Sequence, residues 1–178
     1  MRILIIIVLA ALLLGVWLLY PAPTARAAQP AGSIAALFPD GLINAEGEAV
    51  STDVLSDKIV GVYFSAHWCP PCRQFSPLLV KFRDQHSSGF EIVFVSLDHS
   101  EKDQMAYMRE LEMKWPAVRY GSKPAEALVQ RFRVQSIPTL VILAPDGKEI
   151  TRNGRGDVMA HADTALERWR TESKTAAK

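Results

Sequence analysis

The chain has 178 residues, 49% of them hydrophobic and 22% charged. That suits one domain plus a short appendage, large enough to bury a core without disulfide staples. A formal net charge of +1 with no block of like charge gives no footprint for nucleic acid or for an acidic partner surface.

Met1-Arg2 is followed by an apolar run from Ile3 to Tyr20, then by Ala25-Arg26-Ala27, a small-residue cleavage pattern. The run exceeds a usual signal core of about 7–15 residues and approaches the ~18 that can span a bilayer. A cleaved export signal and an uncleaved anchor with membrane contact are both open. Either places the domain outside the cytosol, periplasmic or otherwise extracytoplasmic, where disulfides persist. Residues 1–27 are read as signal peptide or anchor, 28–38 as linker, 39–172 as the domain and 173–178 as a polar tail.

Leu42-Ile43 and Ala49-Val50 flank Gly47 and predict a short hairpin. Ser51 or Thr52 can cap a turn through Leu55. Ile59 to Phe64 predicts a buried strand. Phe75, Leu78, Leu79 and Phe82 recur at helical spacing, predicting a helix to about His86 with Pro77 as a kink. Phe90 to Leu97 is apolar throughout, as a parallel strand would be. Ser100 to Asp103 reads as a capping box for a helix with Met105, Met108 and Leu111 inside. Ser122 can cap another, facing Ala125, Leu128 and Phe132 inward. Thr139 to Leu143 and Lys148 to Thr151 are strands around a Pro145–Lys148 turn, and Asp157 is the expected cap of a last helix. This order argues for α/β with one central mixed sheet and helices on both faces.

Between the first long strand and its helix lies Trp68-Cys69-Pro70-Pro71-Cys72-Arg73, with the only two cysteines of the chain. A thiol at a helix start meets unpaired N–H groups and the positive end of the dipole. A second thiol one turn on is within reach of a disulfide. Moving a thiol pKa from ~8.5 to ~7 takes roughly 2 kcal/mol. The dipole gives ~0.3–1 kcal/mol, so hydrogen bonds to the sulfur must supply the rest. Pro70 and Pro71 remove two N–H donors and stiffen the turn. Cys69 is the expected nucleophile and Cys72 the resolving thiol. Trp68 offers a flat contact surface, and Ile137 has backbone groups a substrate strand could pair with. His67 and Arg73 could tune the thiolate, or simply be solvated. No zinc or haem pattern is present, and no cofactor is called for. Copper held by both cysteines and a histidine is the alternative reading.

The run from Ala66 to Arg73 resembles the active site of the thioredoxin superfamily, and WCPPCR is similar to its tryparedoxin and nucleoredoxin branch. The similarity continues at Phe90–Asp98, Trp115–Val118 and Ile137-Pro138-Thr139-Leu140. The resemblance implies a thioredoxin fold, a Cys69–Cys72 disulfide and a cis Pro138 facing it. It implies a monomeric thiol–disulfide oxidoreductase acting on protein disulfides in the reducing direction, recharged by an upstream dithiol donor. One departure stands out. Tyr63 occupies the position where many thioredoxins carry a buried aspartate. The proton acceptor for Cys72 is thereby unassigned, with water, His67 and Glu101 as candidates.

Overall fold

A computed structural model of the chain describes residues 33–176, so the apolar segment at Ile3–Tyr20 lies outside the described residues. Its centre is strand β3, Ile59–Ser65, buried at all seven positions. Alternation along a strand sends neighbours to opposite faces. Ile59 and Tyr63 join Phe75, Phe82, Phe94 and Trp169 on one side. Val60, Val62 and Phe64 join Leu128, Phe132 and Val141 on the other. Two separate cores therefore share one strand.

The main sheet has β3 between a strand at Phe90–Ser96 on one side and strands at Thr139–Leu143 and Glu149–Thr151 on the other. Strand β4, Phe90–Ser96, is parallel to β3 with Val62 opposite Val93. Strand β5, Thr139–Leu143, is antiparallel to β3, and β6, Glu149–Thr151, is antiparallel to β5 at the edge. The mixed sheet is as expected. The hairpin of β1, Leu42–Ile43, and β2, Ala49–Val50, forms with Gly47 at φ 82°. It attaches through Ala117, which bridges Ile43 and Phe94.

Helices α1, Pro70–His86, α2, Glu101–Glu110, and α4, Gly154–Ala176, pack their apolar faces into the core on the Tyr63 side. Helix α3, Lys123–Arg131, packs on the Val62 side. Ser100 and Ser122 cap α2 and α3 as their sequences predict. Helix α1 runs unbroken through Pro77. Its C-terminal half is tied to β4 by Arg83, which holds the buried Glu91 carboxylate through contacts of 2.8 and 2.7 Å.

Three expectations are corrected. The stretch read as linker ends in a 3-10 turn, Ile34–Leu37, and Ile34 and Phe38 are buried in the second core. Asp157 is not a cap: α4 begins at Gly154, and Asp157 accepts the Trp169 indole N–H at 2.9 Å and pairs with Arg168 at 2.6 Å. A buried indole needs an acceptor, and Asp157 supplies it one face away from the helix start. The polar tail is helical to Ala176, after a break in α4 at His161 with φ −144° and ψ 41°.

Gly61 has no room for a side chain. A Cβ there would sit 2.9 Å from Leu140 Cδ1 and 3.0 Å from Phe90 Cζ. Gly61→Ala overpacks the sheet and is expected to cost about 1–3 kcal/mol, read as a lower urea midpoint at unchanged m-value.

Candidate redox site

The site is assembled at the end of β3. Cys69 is the N-cap of α1, with extended backbone at φ −91° and ψ 108°. Pro70 and Pro71 take the first two helical positions, where no N–H is required. The Cys72 N–H is therefore the first one available, and it donates to Cys69 Sγ at 3.3 Å. Cys69 and Cys72 are joined in a disulfide. Cys72 is fully buried and Cys69 is 3% exposed.

Opposite the disulfide, the Ile137–Pro138 bond is cis. The Ile137 carbonyl oxygen lies 3.9 Å from Cys69 Sγ. An apolar groove of about 510 Å³ runs beside them, lined by Trp68, Cys69, Pro70, Pro71, Leu97 and residues 134–137. Cys69 lines it and Cys72 does not. Trp68 is 52% exposed at its rim, donates its indole N–H to the Leu97 carbonyl at 3.1 Å and stacks on His99 at 5.7 Å.

The loop before Cys69 is fixed by two acidic residues. Asp98, just beyond β4, accepts the backbone N–H of His67 at 2.7 Å and the Ser96 hydroxyl at 2.8 Å. Burial pushes its carboxyl above the ordinary range, against those hydrogen bonds. Glu110, at the end of α2, meets Arg73 Nη2 at 2.6 Å and His67 Nε2 at 2.7 Å. The Arg73 contact, then the His67 contact, hold its carboxyl below the usual range. The His67 ring stacks on Tyr107 at 5.4 Å.

Tyr63 is buried in a cluster of hydroxyls. Its OH meets Ser76 Oγ at 2.8 Å, Ser76 meets the Tyr107 OH at 2.8 Å, and Tyr107 meets Ser65 Oγ at 3.1 Å. Burial, first of all, pushes the Tyr63 phenol well above its ordinary range. It is neutral throughout the working pH range and is no substitute for an acid. Glu101 pairs with Arg119 at 3.7 Å and His67 with Glu110, so both side-chain candidates for proton acceptor have other partners. Among the described residues no group of three or more His, Cys, Asp or Glu could hold a metal, and nothing supports the copper reading.

The structure thus brings Trp68, Cys69, Pro70, Pro71, Ile137 and Pro138 together, with His67 and Arg73 alongside. Ser76 and Ser65 were detectable in principle, as hydroxyls on otherwise apolar faces. Asp98 and Glu110 carry no such signal. They lie 31 and 37 residues from the partners they hold.

Residues 57–149 match a family model described as thioredoxin-like. Nucleoredoxin of Bos taurus is 42% identical over 132 residues, covering 72% of this chain and 30% of that protein. The chain thus spans about a third of the length of such curated relatives. Among solved structures, thioredoxin from Wuchereria bancrofti superposes with a TM-score of 0.65 at 41% identity, covering 85% of this chain and all of that one. Tryparedoxin II from C. fasciculata gives 0.67 at 34% identity, covering 74% and 90%.

Asp98 yields a signed pH dependence. A carboxyl raised in the folded state binds more protons there than when unfolded, so its contribution to stability falls as pH rises. The fall starts near the unfolded value of about 3.9 and ends above the raised native one. Asp98→Asn lacks this contribution. The unfolding free energy of wild type minus Asp98→Asn should therefore decrease from pH ~3 through the raised native value and then level, read by urea titration across pH.

Proposed function

The chain belongs to the thioredoxin-like family, in its nucleoredoxin and tryparedoxin branch, and on that footing we propose that it is a thiol–disulfide oxidoreductase acting through Cys69 and Cys72. The observation that carries this is the asymmetry of the pair: Cys69 opens on the groove and Cys72 is enclosed behind it. In the dithiol form the Cys69 thiolate attacks a substrate disulfide. An S–S bond forms between Cys69 and one substrate sulfur, and the other leaves as thiolate. Cys72, losing its proton, then attacks Cys69 Sγ and expels the second substrate thiolate. Two electrons pass to the substrate and the Cys69–Cys72 disulfide is restored. A dithiol donor must then reduce it.

Protein disulfides fit the groove. It is open and apolar, with Trp68 as a rigid anchor and the Ile137 carbonyl set to pair with an extended substrate strand. Ile137 ahead of the cis-proline supports the reducing direction, by its resemblance to reducing members. The run from Ile3 to Tyr20 and the Ala25-Arg26-Ala27 pattern support an exported protein, released or anchored. N-terminal sequencing of the protein from fractionated cells separates the two: a chain starting at Ala28, or a membrane-bound chain keeping its apolar segment.

Cys72→Ser tests the core of the proposal. It should strand mixed disulfides on Cys69, visible as reducible adducts on non-reducing gels, and should lower turnover of a protein disulfide at least 100-fold. Cys69→Ser should form no adduct. No covalent partner with Cys72→Ser, together with equal slow alkylation of both reduced thiols, would refute it.

A further inference from the structure

Glu110 joins two residues that flank the dithiol on either side. His67 stands two residues before Cys69, and Arg73 stands four after it, in the first turn of α1. Residues four apart lie on the same side of a helix, and the Arg73 N–H already bonds the Cys69 carbonyl at 3.1 Å. Arg73 is therefore the first cationic residue along α1 after the nucleophile. It does not act alone. Glu110 takes it at 2.6 Å and takes His67 with its second oxygen at 2.7 Å. The other groups around this carboxylate are accounted for. Tyr107, on the same helix, stacks on His67, and Arg109 turns away to the Ala45 carbonyl at 3.0 Å. On the far side of the loop Asp98 holds the His67 N–H, and His99 lies under Trp68.

We propose that Glu110 is a positioning residue for the dithiol chemistry: it pins Arg73 and cancels its charge, so that the Cys69 thiolate is supported by the helix start and the Cys72 N–H rather than by a free guanidinium. The proposal rests on the oxidoreductase reading. It goes beyond it by assigning to α2, an element distant in sequence, the setting of nucleophile reactivity. Neutralising Glu110 leaves Arg73, one helical turn from Cys69, as an uncompensated cation free to turn toward the thiolate. The thiolate is then more populated below neutral pH, and the reduced form is favoured in exchange with glutathione.

The test is the pH profile of Cys69 alkylation by iodoacetamide in the reduced full chain, for wild type, Glu110→Gln, Arg73→Gln and the double variant. Glu110→Gln should alkylate about three- to tenfold faster at pH 6 and shift its glutathione equilibrium toward the dithiol by a similar factor. In the Arg73→Gln background the same change should leave only the small, solvent-screened effect of the Glu110 charge itself, since the cycle removes the group that Glu110 positions. An unmoved profile in Glu110→Gln, or the same shift persisting without Arg73, overturns the assignment. A wild-type Cys69 no faster than an ordinary thiol would instead strike at the oxidoreductase reading. Both positions are exposed, and circular dichroism with urea midpoints confirms that folding is retained.

Discussion

A single N–H···S contact, from Cys72 to Cys69 at 3.3 Å, is what the surrounding structure is arranged to preserve. The first helical turn of most helices offers several unpaired amides. Here two of them are absent because the residues are prolines, so the donor at Cys72 is not diluted among alternatives. Its direction depends on where β3 ends. That strand is held on both faces by different cores, so it cannot slide by one residue without exchanging its entire set of side chains. The position of Cys69 is thereby fixed from below by packing. From the side it is fixed by the bonds that Asp98 and Leu97 make to the loop residues His67 and Trp68.

The polar groups near the site divide by depth. Outside, Glu110, Arg73 and His67 form a solvent-exposed cluster whose strength depends on ionic strength. At the next level Asp98 is buried, and its ionisation is resisted by that burial. Innermost are four hydroxyls that satisfy one another without any charge. Near the dithiol, charge is thus kept to the side from which solvent and substrate arrive, and the hydroxyl layer beneath the first turns of α1 is neutral.

Much of this was legible in the sequence because it is written in local terms. The apolar run of β3, the helical spacing of Phe75, Leu79 and Phe82, serine caps at Ser100 and Ser122 and the Cys69-to-Cys72 spacing each involve neighbours along the chain, and the structure bears them out, whereas Leu78, read onto the same helical face, is exposed. What was not legible depends on partners far apart in sequence. Asp157 looked like a cap because its chemistry suits one, yet a buried indole twelve residues on claims its carboxylate. Ile34 and Phe38 looked like linker because a short apolar pair has no periodicity, and only the hollow beside Leu55 and Val60 gives them a place. Glu110 is one of many surface glutamates until folding brings the end of α2 against the start of α1.

The hydroxyl cluster around Tyr63 has a consequence for how the molecule tolerates its own chemistry. A buried acid under a dithiol changes charge as the thiols exchange protons, and the protein around it must repolarise at each turnover. Ser76, one turn along α1 from Cys72, connects instead to phenols and serines that can reorient their O–H bonds without gaining or losing a proton. The interior therefore presents the same net charge to the oxidised and the reduced pair. Reorganisation is confined to hydrogen-bond direction, and the scaffold beneath the sulfurs can stay electrostatically indifferent to which state the pair is in.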